Sequence, residues 1–99
     1  MSTPSAAELL LSQELARHIK GRRLALKKTQ EQVANEAGID RNHYQNIESG
    51  RSDRRSQNPL NPQLFTIARL ATALECTISE LLASPGEKYS AAVERFEWR

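Results

Sequence analysis

A chain of 99 residues makes one domain with little to spare for a second, and its 38% hydrophobic content with 5% aromatics gives a modest core of Leu, Ile, Val and Ala, too small for an enzyme with a deep internal pocket. The formal net charge of +2 conceals a division, with ten bases and five acids between Arg17 and Arg55 against four bases and seven acids elsewhere. Such a basic half is either a surface for a polyanion or an ordinary solvated face.

The apolar residues rarely alternate with period two and β-branched runs are absent, which predicts an all-α chain, a compact bundle of about five helices. Thr3-Pro4-Ser5 opens it, and Ser5-Ala6-Ala7-Glu8 has capping-box spacing. Leu11, Leu15 and Ile19 recur at helical spacing, with Leu24 and Leu26 beyond. This is one helix, or two broken near Ser12, ending in Lys27-Lys28, whose charges suit the negative end of a helix dipole. Thr29-Gln30-Glu31-Gln32 starts a second helix capped by Thr29, with Val33, Ala34 and Ala37 inward and Gly38 as its stop.

Ile39 plugs the turn, and Asp40 caps a third helix to about Ser49, with Tyr44 and Ile47 inward and Gly50 at its end. Arg51–Asn61 is irregular, marked by Asn58-Pro59 and Asn61-Pro62. A fourth helix is expected from near Pro62, burying Leu64, Ile67, Ala68, Ala71 and Leu74. Thr77-Ile78-Ser79-Glu80 opens a short fifth helix with Leu81 and Leu82, which Ser84-Pro85-Gly86 is expected to end. In the tail from Glu87 to Arg99, Tyr89, Val93 and Phe96 stand at helical spacing. Cys76, alone and flanked by Leu74 and Ile78, reads as a small buried hydrophobe, with no disulfide and no cysteine-built zinc site. No stretch approaches the ~20 apolar residues that cross a bilayer, and Leu9–Leu11 is too short for a signal-peptide core, so a soluble intracellular protein is expected.

The second and third helices are joined by a turn of a few residues around Gly38, which forces a steep crossing: one helix braces while the next projects into a groove. The exposed face of the third helix reads Arg41, Asn42, Gln45 and Asn46. Arg pairs bidentately with guanine, and Asn or Gln with adenine, in a major groove about one helix wide. On a merely solvated face Glu and Lys would dominate.

Thr29-Gln30-Glu31-Gln32-Val33-Ala34, then Ala37-Gly38-Ile39, then Tyr44-Gln45-Asn46-Ile47-Glu48-Ser49-Gly50 resembles the XRE family of Cro and phage-repressor helix-turn-helix domains. The likeness reaches upstream to Ile19 and Arg23 and downstream through Leu70-Ala71-Thr72-Ala73-Leu74 to Leu82. The resemblance implies a cytoplasmic bacterial regulator, a repressor acting as a homodimer on double-stranded DNA. It also implies that Gln30 binds phosphate at the start of the bracing helix, that Arg41, Asn42, Gln45 and Asn46 read bases, and that Arg23 and Glu48 form a structural ion pair. Lys27 and Lys28 stand where the family puts Gly and an apolar residue, and add phosphate attraction. His43, Arg51, Arg54 and Arg55 complete the expected phosphate set, the last three in a loop longer than the family norm.

In domain terms the expectation is a helical N-terminal extension over 1–14, the DNA-binding domain over 15–83, and a tail over 84–99. Leu81, Leu82, Tyr89, Val93, Phe96 and Trp98 are the candidates for dimer contacts, unless the tail folds back against Leu9–Leu11 or docks another protein. His18 and His43 stand in no cluster of ligand-spaced carboxylates and cysteines, and no phosphate loop or nucleophile motif appears. No enzyme, metal or cofactor is expected. The rival reading is an antitoxin that binds its operator and also a toxin partner.

Overall fold

The computed structural model describes residues 3–52 and 58–97. Among them the chain is all-helical, with α1 (Ala6–Ala25), α2 (Gln30–Ala37), α3 (Arg41–Glu48), α4 (Leu64–Ala73) and α5 (Ile78–Ala92), closed by a π-helical turn over Val93–Glu97. Arg51 and Pro59 form an isolated antiparallel bridge, and no strand forms among the described residues. No helix is long and apolar enough to cross a membrane.

Short-range chemistry sets the helix starts. Ser5, Thr29 and Thr77 each accept from the backbone N–H three residues on, and Glu8, Gln32 and Glu80 reach back to the cap, so orphan donors are satisfied in pairs. Asp40 caps α3 by accepting from the Asn42 N–H at 3.1 Å. The ends of α1 to α4 are equally uniform. Lys27, Gly38, Gly50 and Glu75 all take the left-handed conformation, with φ of 59°, 68°, 76° and 58°. In each case the next N–H returns to the carbonyl five residues back: Lys28 to Arg23, Ile39 to Ala34, Arg51 to Asn46, Cys76 to Ala71. Gly38 and Gly50 suit that turn, whereas Lys27 and Glu75 adopt it against a penalty of roughly 1–2 kcal/mol.

Lys28 fastens two of these turns together. Its Nζ donates to the Ala73 carbonyl at 2.9 Å and pairs with Glu36 at 2.6 Å and Glu75 at 3.2 Å. A cation thus sits on the negative end of α4, and the corner between α1 and α2 is held there. The core gathers Leu15 and Ile19 from α1, Val33 and Ala34 from α2, Tyr44 and Ile47 from α3, Ile67 and Leu70 from α4, and Leu81 from α5. Cys76 is half-buried against it, as are Ile39 and Leu82.

One open alternative is settled and two expectations are corrected. First, α1 is continuous through Ser12, which is buried and donates to the Leu60 carbonyl at 2.6 Å. Second, Leu60 and not Leu64 belongs to the core. The N–H of Leu60 donates to the Gly50 carbonyl at 2.8 Å, which draws the loop inward. The first two residues of α4 stand outside, with Leu64 69% and Phe65 72% exposed; Leu24, too, is 55% exposed. Third, Ser84-Pro85-Gly86 does not end α5. A proline inside a helix forfeits a hydrogen bond and costs ~3 kcal/mol. Here Pro85 is fully buried, and the helix runs on against α1 to a buried Ala92, with Lys88 pairing to Glu14 at 2.9 Å. Packing along α1 outweighs the local breaker. The residue-14 and residue-84 boundaries therefore fall inside α1 and α5. Tyr89 and Val93 are half-buried, Phe96 is exposed, and Trp98 lies outside the described residues.

Candidate nucleic-acid interface

Helix α3 advances about 100° per residue. Its buried side carries Tyr44 and Ile47, each 0% exposed. That geometry sends Asn42, Gln45 and Asn46 to the opposite side, where Asn42 is exposed and the other two half-buried. Arg41 falls on the flank facing the start of α2, and exposed His43 on the other flank. The four expected base-reading residues therefore share the outward half of one helix, with Arg41 at its edge.

Below this face a polar network joins all three helices. The Glu48 carboxylate accepts from Arg23 Nε at 2.6 Å and Nη2 at 3.1 Å, from Gln30 Nε2 at 3.0 Å, and from the Tyr44 hydroxyl. A further Arg23 nitrogen, Nη1, donates to the Lys28 carbonyl at 3.0 Å. The Glu48 side chain is 4% exposed and that of Arg23 11%, so the expected ion pair is present and shielded. Burial pushes the Glu48 carboxyl up, but the bonds from Arg23, Tyr44 and Gln30 with the Arg23 charge outweigh it and hold the group below the ordinary glutamate value. The bond to Glu48 raises Arg23 further. Burial, then Glu48, holds the Tyr44 phenol well above its ordinary value, so it stays a neutral donor. Every buried polar side-chain atom among the described residues has a partner.

Where α1 ends, α2 begins and α3 begins, an open hollow of about 470 Å³ is lined by residues that include Lys27, Thr29, Gln30, Glu31 and Arg41. The first-turn amides of α2 lie at this corner, at the positive end of its dipole. One N–H of the Gln30 amide is held by Glu48, which leaves the second for a ligand. Lys27 and Arg51 are exposed, and Arg51 follows the turn that ends α3. Lys28 is not available in the same way, since its ammonium is committed to Glu36, Glu75 and the end of α4. Arg54 and Arg55 lie outside the described residues.

Sequence reasoning missed that Gln30 and Tyr44 belong to the Arg23–Glu48 network. The four-residue spacing of Tyr44 and Glu48 on one helix was the available signal. No group of His, Cys, Asp and Glu among the described residues is placed to hold a metal ion.

A family model described as a helix-turn-helix domain matches residues 14–83, most of the chain. No curated protein and no solved structure matches it. The matched span contains α2, the turn at Gly38, α3 and the network that fixes them, and the chain accordingly belongs to the helix-turn-helix domain family, of the XRE-like type, whose business is binding DNA.

Proposed function

We propose that this protein is a sequence-specific transcription regulator, a cytoplasmic repressor that reads the major groove with α3 and pairs with a second copy on a palindromic operator. The observation that carries the reading is the division of α3: Tyr44 and Ile47 lock one side into the core while Asn42, Gln45 and Asn46 stand on the other. Those three amides offer paired donors and acceptors to adenine, and Arg41 offers a guanine fork at the edge nearest the backbone. Gln30, the first-turn amides of α2 and Lys27 are assigned to one phosphate, with Arg51 and His43 flanking. Lys28 is left out of that set because its ammonium is already paired. Two copies are needed because one helix covers too few base pairs to single out a site among ~10⁶ or more competitors.

Selection of bound duplexes from a randomised library tests this. The expected product is an inverted repeat with half-sites ~34 Å apart, whose affinity falls with salt at a slope of about −0.9 per phosphate contacted. A library that enriches no sequence, or binding indifferent to salt, would refute it.

A further inference from the structure

Resting on that two-copy reading, we infer that the second copy docks on the first turn of α4, around Leu64 and Phe65, and not on the tail. These two are the most exposed large hydrophobic side chains among the described residues, at 69% and 72%, and they are adjacent. A two-fold contact sets a surface against itself, so any charge near the axis meets its own copy. The stretch from residue 56 to 68 carries no charge of its own, and the next charge along α4, the exposed Arg69, stands one helical turn beyond Phe65. That stretch is the longest run without a charged residue in a chain that is 26% charged, and Leu64 and Phe65 lie within it.

Shape agrees with charge. Pro62, two residues before Leu64, lines a hollow of about 380 Å³ whose walls include Leu11, Leu15, Leu60 and Tyr89 together with Glu8 and Asn61. A projecting pair of apolar side chains two residues from a hollow of mixed but mainly apolar lining supplies a knob and a hole, which a two-fold operation would bring together twice.

Position agrees as well. Leu60 N–H donates to the Gly50 carbonyl at 2.8 Å, and Ser52 N–H to the Asn58 carbonyl at 3.1 Å, so the segment leading into the patch hangs from the end of α3. The competing surface is the tail, where Phe96 is 56% exposed. There the Arg95 guanidinium lies 5.9 Å from the exposed Phe96 ring, so a pairing centred on that ring would set Arg95 near its own copy.

Sedimentation velocity on the full chain, alone and on the duplex enriched from the random library, decides the matter with wild type, Phe65→Glu, Leu64→Lys and Phe96→Glu. Wild type and Phe96→Glu are expected to pair, while Phe65→Glu and Leu64→Lys weaken pairing at least tenfold with unchanged helical melting. If both α4 variants pair as wild type does, the surface is wrong and the two-copy reading stands. If wild type is single both alone and on the duplex, the surface and the two-copy reading fall together.

Discussion

Replacing Glu48 with Ala strands the groups it serves. Arg23, with a side chain only 11% exposed, keeps one bond to the Lys28 carbonyl and loses its counter-charge. The Tyr44 hydroxyl, on a residue that is 0% exposed, loses its acceptor. Gln30 loses its anchor but is half-buried and can turn to water. Breaking a buried ion pair from one side costs about 3–5 kcal/mol, and a stranded hydroxyl alone ~1–3 kcal/mol, without simple additivity. The expected loss is therefore about 4 kcal/mol, a large part of the ~5–15 kcal/mol available to a domain of this size.

Urea unfolding followed by helical circular dichroism measures that loss directly, and the melting temperature should drop by roughly 15–30 °C. Adding Arg23→Met and Tyr44→Phe to the same chain removes the stranded charge and hydroxyl together, and should restore at least half of the loss. A Glu48→Ala loss below ~1 kcal/mol, the worth of an exposed pair, would refute the reasoning.

Acid should act through the same carboxyl. Because Glu48 titrates below its ordinary value in the folded chain, its contribution is complete above the unfolded value of ~4.3 and fades as pH falls through the folded one. Glu48→Gln should flatten that acid limb in a pH series of urea midpoints. The two kinds of glycine should respond with opposite signs in the same unfolding assay. Gly86→Ala, inside α5 with open space around it, should stabilise by ~0.5–1 kcal/mol, and Gly38→Ala, at φ 68°, should destabilise by ~1–2 kcal/mol. If Gly86→Ala destabilises, α5 does not run through that position. The adjacent lysines should separate in fluorescence anisotropy: Lys27→Ala lowers the salt slope of DNA binding by about 0.9, whereas Lys28→Ala leaves the slope alone and lowers the melting temperature.

Much of this architecture is legible because it is local. The three reciprocal caps, the Asp40 cap and the stops at Gly38 and Gly50 each depend on residues within a few positions of one another, and their spacing displays them. The left-handed turns at Lys27 and Glu75 were hidden because the residue types disfavour that backbone. Long-range packing was hidden for a different reason. Leu60 and Leu64 are equally apolar, and it is Leu60 that is held inward, its N–H donating to the Gly50 carbonyl and its carbonyl accepting from Ser12. Pro85 and Gly86 carry a stop signal that contact with α1 overrides. At the site, the outward row of Asn42, Gln45 and Asn46 follows from helical period alone. The Arg23–Glu48 pair came from family resemblance. That Lys28 is spent on α4 depended on a partner 45 residues away.

The central claim is that Asn42, Gln45 and Asn46 carry sequence preference while the hollow beside Gln30 carries general affinity. The direct test compares affinity for the selected duplex and for a scrambled one, at a single salt concentration, in wild type and in the Asn42→Ala, Gln45→Ala, Asn46→Ala triple variant. At ~1–3 kcal/mol for each base read, the ratio of the two affinities should collapse by at least ~100-fold while binding to the scrambled duplex changes little. A triple variant that keeps the wild-type ratio would contradict the account.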